Sequence, residues 1–210
     1  MTSEQFRRIW FRFGELVTEH RDELNRLDAA IGDADHGTNL ARGLAKVAAD
    51  LGADGSPTHL AASCRQVGMA LLSTVGGASG ALWGSALLRA AGALPEAETC
   101  DTATAVAAAR QAVDAIQSRG HAELGDKTMV DVWRPALALL EASVAEGMSG
   151  RKAAVAVAER AVTLADETAP LVARRGRASY LGARSAGHVD PGSVSTALFW
   201  RAVADIVATS

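Results

Sequence analysis

Apolar residues recur every three or four positions over most of this chain, in stretches that end at turns rich in glycine, proline or serine. This spacing lines one face of an α-helix. Alanine, which has the best helix propensity, is abundant, and runs of the β-branched residues that favour strands are absent. The chain is therefore predicted to be all-α.

Eight segments carry the helical pattern, and each is bounded by recognisable start or stop signals. Thr2 and Gln5 form a capping box before the first segment, and Asp190-Pro191 begins the last. The predicted helices cover residues 2–27, 38–52, 57–75, 82–88, 101–120, 130–144, 149–165 and 190–207. Most connections are short, which favours antiparallel neighbours. Because no linker composition interrupts the pattern, we expect one domain over residues 1–210.

Composition and charge exclude several classes of function. The net charge of −3 offers no electrostatic basis for binding nucleic acid or an anionic membrane. No uncharged apolar stretch is long enough to cross a bilayer, and the N-terminus lacks the pattern of a secretory signal. The two cysteines, Cys64 and Cys100, have no metal-binding spacing. We therefore expect a cytoplasmic protein.

The first two predicted helices are joined by a turn that contains three carboxylates. We call residues 28–37 the acidic turn; it carries Asp28, Asp33 and Asp35. Such close like charges repel each other, and Mg²⁺ relieves that repulsion because it prefers carboxylate oxygens. The next helix is predicted to start near Thr38 or Asn39, so its free N–H groups would face the same place and favour an anion. Metal and helix N-terminus together predict a phosphate site.

Two plainer interpretations of the acidic turn were weighed. Turns rich in aspartate and glycine are often only caps, but a cap does not need three acids together with His36 and two glycines. A calcium-binding loop counted from Asp33 places Thr38 at the required glycine and Leu44 at the closing glutamate, so that pattern fails.

Other turns carry weaker signals. Residues 76–80 (Gly-Gly-Ala-Ser-Gly) precede a helix and suit either close approach to a ligand or a tight corner. Residues 120–128 nearly spell a P-loop, but Asp126 is inserted before Lys127 and no strand precedes it. Lys127 is interpreted as a surface lysine or a charge near the site, and Asp126 and Asp131 as cap and surface residues. The late loop, residues 173–192, is long enough to be functional.

Five of these motifs, taken together and in order, resemble the nucleotide-binding L subunits of dihydroxyacetone kinases (the DhaL type). They are Gly-Asp-Ala-Asp-His-Gly (32–37), Val-Gly-Gly-Ala-Ser-Gly (75–80), Gly-Asp-Lys-Thr-Met (125–129), Gly-Arg-Ala-Ser-Tyr-Leu-Gly (176–182) and Asp-Pro-Gly (190–192). The resemblance spans nearly the whole chain. It implies an antiparallel eight-helix barrel with a nucleotide site at one open end.

The resemblance also implies roles for individual residues. It implies that Asp28, Asp33 and Asp35 hold two Mg²⁺ ions that bridge to the phosphates of ADP or ATP. It places His36, Gly37, Thr38, Asn39, Ala78 and Ser79 along the phosphates, and Gly120, Met129, Arg177, Asp190, Pro191 and Gly192 around the base and ribose. The late loop would fold over the ligand as a lid.

The chemistry implied by this family is phosphoryl transfer to dihydroxyacetone or a related short ketose. No catalytic nucleophile is expected here, because in the family a histidine on a separate K subunit holds the ketose covalently. The donor is expected to be free ATP or a phosphotransferase-system M subunit, and a homodimer is left open. Two alternatives remain: a nucleotide-sensing module that docks to a regulator and catalyses nothing, and a metal-dependent phosphohydrolase.

Overall fold

The computed structural model describes residues 1–209, and α-helices account for most of them. The α-helices are α1 (Ser3–Glu19), α2 (Arg21–Ile31), α3 (His36–Gly52), α4 (Leu60–Thr74), α5 (Gly77–Ala91), α6 (Thr102–Gly120), α7 (Val130–Ala145), α8 (Gly150–Asp166) and α9 (Pro191–Ala208). A 3₁₀ helix, Arg177–Ser185, lies in the late loop. Within residues 1–209 there is no β-strand, only an isolated antiparallel bridge between Thr2 and Thr99. The all-α prediction is confirmed.

Eight of these helices form a closed ring. Each of α3 to α9 packs on its neighbour in sequence, α1 packs on α3, and α9 returns to pack on α1. Helix α2 stands outside this ring, against α3, α9 and the 3₁₀ helix. The ring corresponds to the predicted eight-helix barrel. Among the described residues, no helix has both the length and the apolarity needed to span a membrane.

Aromatic side chains fill the centre of the ring. Phe199 on α9 lies 5.3 Å from both Trp83 on α5 and Trp133 on α7, measured between ring centroids. Trp10 and Phe13 of α1 pack on the same cluster. Aromatic residues contribute large buried areas to a core, and this chain places most of its few aromatic residues where α1, α5, α7 and α9 meet.

Helix boundaries differ from the sequence prediction at the acidic turn. The first predicted helix is two helices, because the chain bends at His20, whose N–H still bonds to the Leu16 carbonyl. Neither glycine nor proline marks this bend, so periodicity alone continues through it. Helix α3 begins at His36, two residues before the predicted start. Both changes bring α2 back against α3.

Two other boundaries are corrected. The break before the fourth predicted helix is present at Val75 and Gly76, but helix α5 begins at Gly77 and not at Leu82, so residues 77–80 form its first turn. Helix α4 begins at Leu60 after His59, three residues after the predicted start. Ser56 closes the end of α3 by donating to the carbonyls of Asp50 and Ala53. Pro135 lies inside α7, which begins at Val130 as predicted.

Candidate functional site

The acidic turn brings its three carboxylates together. One oxygen from each of Asp28, Asp33 and Asp35 lies within 4.8 Å of the others. Two trans ligands of an octahedral Mg²⁺ stand about 4.2 Å apart. The cluster therefore fits a hard divalent ion after a small inward movement.

The backbone holds the buried member of this cluster in place. Oδ2 of Asp28 accepts hydrogen bonds from the N–H groups of Asp35 at 2.9 Å and His36 at 3.2 Å. A Cβ on Gly32 would stand 2.1 Å from Oδ1 of Asp28, so a side chain at residue 32 would displace the carboxylate. Ala34 has a φ of +64°, a left-handed conformation that costs an alanine about 1 kcal/mol or more. This strained residue lies between two of the three carboxylates.

The predicted anion site at the start of α3 is not formed as expected. The N–H groups of Asp35 and His36 are taken by Asp28, and the N–H of Thr38 donates to Oδ1 of Asn25 at 3.0 Å. The first turn of α3 therefore offers few free donors, because the loop and α2 supply acceptors that sequence spacing does not reveal.

Helix α5 supplies the free helix N-terminus instead. Within residues 1–209, the N–H groups of Gly77, Ala78 and Ser79 have no acceptor, and Gly76 provides no side-chain cap. Gly80 is required here, because a Cβ would stand 2.2 Å from the Val75 carbonyl oxygen. Unsatisfied N–H groups and the helix dipole favour an anion at this position.

A cleft with a cavity volume of about 120 Å³ lies between the starts of α3, α5 and α9 and the loop before α7. This volume is below the roughly 300–1,000 Å³ of small-molecule sites, so the cleft would enclose only part of a ligand of nucleotide size. The cleft is lined by His36, Ala78, Ser79, Leu82, Trp83, Thr128, Met129, Gly192 and Ser195. Its wall is polar where His36 and the serines meet and apolar at Leu82, Trp83 and Met129. One end thus suits phosphate and the other suits a flat ring.

His36 connects two walls of the cleft. Its Nε2 lies 3.0 Å from Oγ of Ser195, and its Nδ1 lies 3.5 Å from Oγ of Ser79. Ser195 donates its own hydrogen to the Gly192 carbonyl, so Nε2 of His36 is the donor in the first contact. Burial lowers the pKa of His36, and nearby Asp28 and Asp35 oppose that change. A neutral imidazole fits these two contacts.

Five of the residues assigned by resemblance line the cleft: His36, Ala78, Ser79, Met129 and Gly192. The other assigned residues lie around it. A Cβ on Gly120 would stand 3.4 Å from Leu82, behind the cleft wall. Arg177 lies at the acidic end, with its guanidinium 3.0 Å from Oδ2 of Asp33.

Asp190 and Pro191 begin the helix that forms one wall of the cleft. Pro191 is the first residue of α9, and the Asp190 carboxylate caps it by accepting from the N–H of Ser193 at 2.7 Å. Burial raises the pKa of Asp190 to about 6, although its bonds from Ser193 act in the opposite direction.

Three assigned residues at the start of α3 do not line the cleft. Gly37 is buried against α2, where a Cβ would stand 2.3 Å from the Arg21 carbonyl oxygen. Thr38 is bound to Asn25, and Oδ1 of Asn39 accepts from the Arg42 guanidinium. Their side chains fix the acidic turn and the first turn of α3.

Sequence reasoning missed four residues that line the cleft: Leu82, Trp83, Thr128 and Ser195. Thr128 adjoins Met129 in the Gly-Asp-Lys-Thr-Met motif, and Ser195 lies one helical turn after Gly192. The places of both residues beside the site could therefore have been predicted from the sequence. Leu82 and Trp83 carry no such signal, because an apolar residue in a core helix looks the same whether or not it borders a cleft.

Lys127, Asp126 and Asp131 are buried, so their assignment to the surface is wrong. The assignment of the two acids as helix caps is not confirmed either, because Met129 is the N-cap of α7 and no side chain of residues 1–209 bonds there. The two acids instead fix the loop before α7: Asp126 accepts from the N–H of Glu123, and Asp131 accepts from those of Gly125 and Thr128. Asp126 also faces two arginines of the late loop, at 3.9 Å for Arg174 and 3.5 Å for Arg175.

Comparison with known proteins places the chain in a family. The DAK2 domain model matches residues 30–205. The chain is 42% identical to the PEP-dependent dihydroxyacetone kinase ADP-binding subunit DhaL of Escherichia coli, with 88% of this chain and 87% of that protein covered. It is 39% identical to the PTS-dependent counterpart of Lactococcus lactis, with 94% of each covered.

A solved structure and a longer relative agree with this placement. The dihydroxyacetone kinase of C. freundii, solved in complex with AMP-PNP and Mg²⁺, matches with a TM-score of 0.73 at 25% identity, over 94% of this chain and 33% of that one. The L-erythrulose 1-kinase of Mycolicibacterium smegmatis is 38% identical, with 92% of this chain and 34% of that protein covered. The chain therefore belongs to the DAK2 domain family and, within it, to the DhaL type.

Proposed function

We propose that this chain is the ADP- or ATP-binding phosphoryl-transfer subunit of a multi-subunit kinase that acts on dihydroxyacetone or a related short ketose. One observation carries the proposal: the three carboxylates of the acidic turn and the free N-terminus of α5 flank the same cleft. A polyphosphate needs both, a cation between its oxygens and the acids and N–H donors on its far side.

Asp28, Asp33 and Asp35 would hold the metal, and we propose two Mg²⁺ ions. Oδ2 of Asp28 is occupied by two N–H groups, which leaves Oδ1 for coordination. When bound, such ions supply charge neutralisation for the phosphoryl group. The residues of the chain orient the ligand: Ala78 and Ser79 donate to phosphate, and Leu82 and Met129 form an apolar wall for the base.

The ketose would be held elsewhere. We propose that a K subunit carries the covalent histidine, so that this chain supplies only the nucleotide half of the site. The relatives that are 39–42% identical are named PEP- or PTS-dependent subunits, and we propose the same kind of donor here, through an M subunit in the cytoplasm. We propose that residues 1–210 form one domain.

The decisive experiment mixes the chain with a K subunit, ketose and either ATP or a phosphorylated M subunit. We expect sugar phosphate only when both subunits are present. Two other results would contradict the proposal. ATP loss with the isolated chain would indicate a phosphohydrolase, and tight ADP binding without product from either donor would indicate a nucleotide-sensing module.

A further inference from the structure

Lys127 is a buried cation that the proposed function does not use. It is one of three lysines in the chain, and its exposed fraction is only 1%. Its Nζ donates to the carbonyl oxygens of Thr168 at 2.6 Å, Ala169 at 3.2 Å and His188. Its three hydrogens therefore have three acceptors. Burying an ammonium group is costly, and here neutral carbonyls compensate for it without a direct ion pair to a carboxylate of the described residues.

The three carbonyls belong to the two ends of the segment that carries the late loop. Thr168 and Ala169 follow α8, whereas His188 lies just before α9. The ends also meet directly: the N–H of Gly187 donates to the Ala169 carbonyl at 2.8 Å, and that of Asp190 donates to Oγ1 of Thr168 at 3.0 Å. The ammonium group of Lys127 lies at the point where these ends join.

The backbone of Lys127 lies on the other side, in the loop that forms a wall of the cleft. The next two residues, Thr128 and Met129, line that cleft. Asp131 fixes the loop by accepting from the N–H groups of Gly125 and Thr128. Lys127 itself has a φ of +62°, a conformation unusual for a residue with a side chain. The side chain extends inward from this backbone to the three carbonyls.

We infer that Lys127 is a positioning residue: it fixes the two ends of the late loop to the cleft wall and so holds Arg177 over the acidic turn. This inference rests on the proposed function for its meaning, because a positioned late loop matters only if the cleft binds a ligand. Lys127 does not touch that ligand. It acts through the carbonyls of Thr168, Ala169 and His188.

Charge makes this role sensitive to pH. Burial lowers the pKa of Lys127, whereas Asp190 before α9 and Asp131 on α7 raise it. These two carboxylates are the charged groups that face the ammonium; the segment after α8 and the late loop present carbonyls to it. Because this pKa is lower in the closed loop than in water, closing the loop releases a proton. The late loop is therefore expected to open less often as pH rises through the folded-state pKa toward 10.5.

The test compares Lys127→Met with Lys152→Met, which removes an exposed lysine from α8. Limited digestion with subtilisin, with cut sites found by mass spectrometry, measures how often residues 173–189 open. We expect cleavage there to be about tenfold or more faster in Lys127→Met, with helix content by circular dichroism unchanged. Lys152→Met should match the wild type. A late loop as protected in Lys127→Met as in the wild type would overturn the inference.

Two further measurements separate positioning from general stability. Between pH 7 and pH 10.5, cleavage of the late loop, divided by cleavage of an unfolded peptide of the same sequence, should fall in the wild type and stay flat in Lys127→Met. A flat wild-type profile would refute the inference, and this profile decides the matter if Lys127→Met does not fold. Mg-ADP should bind the variant about tenfold more weakly; equal affinity with a loosened late loop would also refute it. Failure of the wild type to bind Mg-ADP would instead refute the proposed function.

Discussion

At the scale of single residues, Gly32 decides where the Asp28 carboxylate stands. Because a Cβ at residue 32 would lie 2.1 Å from Oδ1 of Asp28, we expect Gly32→Ala to weaken Mn²⁺ binding about 10- to 100-fold. Electron paramagnetic resonance of free Mn²⁺ measures this directly. Gly52→Ala is the matched control, since nothing lies within 4 Å of a Cβ there. Equal affinity in the two variants would argue against the metal site.

Asp190 predicts how stability depends on pH. Its folded-state pKa is raised to about 6 from 3.8, so the protonated carboxyl is favoured by folding. Its stabilising contribution is therefore complete below about pH 4 and is lost as pH rises through 6, by up to about 3 kcal/mol. In Asp190→Asn this loss should disappear, so urea unfolding at pH 4.5 and pH 7 should differ less than in the wild type. An identical pH dependence would show that Asp190 does not titrate as stated.

The types and spacing of residues predicted much of the candidate site. They did not predict which charged residues are buried. The three aspartates, His36, Ser79 and Gly192 were found from short motifs, because their chemistry shows in residue type and spacing. The buried position of Lys127 was not predicted, because a charged residue next to aspartate in a glycine-rich turn is usually exposed to solvent. Only the carbonyls of Thr168 and His188, about 40 and 60 residues away in the chain, make a buried ammonium possible.

At the scale of helices, one side chain joins α2 to α3 across the acidic turn. Asn25 donates from Nδ2 to Oγ1 of Thr38 at 2.8 Å and accepts from the Thr38 N–H at 3.0 Å. We expect Asn25→Ala to lower the free energy of unfolding by about 1 kcal/mol and to speed amide exchange in residues 32–36. Asn25→Asp keeps the acceptor but loses the donor. Its free energy of unfolding should therefore lie between those of the wild type and Asn25→Ala.

The outcome for this element shows why helix ends were predicted less well than helix interiors. Apolar spacing located nearly every helix, because each one buries a face. The start at His36 depends instead on which groups satisfy the free N–H donors, and Asp28 and Asn25 do so from outside α3. If the amide hydrogens of residues 32–36 exchanged no faster in Asn25→Ala, the contact of Asn25 with Thr38 would not control the acidic turn.

At the scale of the molecule, the site lies at the point where the ring of helices meets its aromatic core. Trp83 lines the cleft and also packs 5.4 Å from Phe13 between ring centroids. A ligand in the cleft therefore contacts the packing that closes the ring, and closure between α9 and α1 could not be derived from local sequence patterns. Because the ligand has no affinity for the unfolded chain, its binding should stabilise the whole fold by mass action.

We expect Mg-ADP at about 100 times its dissociation constant to add about 2.7 kcal/mol to the free energy of unfolding, which raises Tm by roughly 5–10 °C for a chain of this size. Asp33→Ala should abolish this rise and leave the ligand-free Tm nearly unchanged, because Asp33 is exposed and serves the ligand. Asp54→Ala, an exposed aspartate beyond the other end of α3, should keep the full rise. Differential scanning calorimetry measures all three. A full rise in Asp33→Ala would remove the acidic turn from the binding site, because the stabilisation can come only from interactions that the ligand makes with the folded chain.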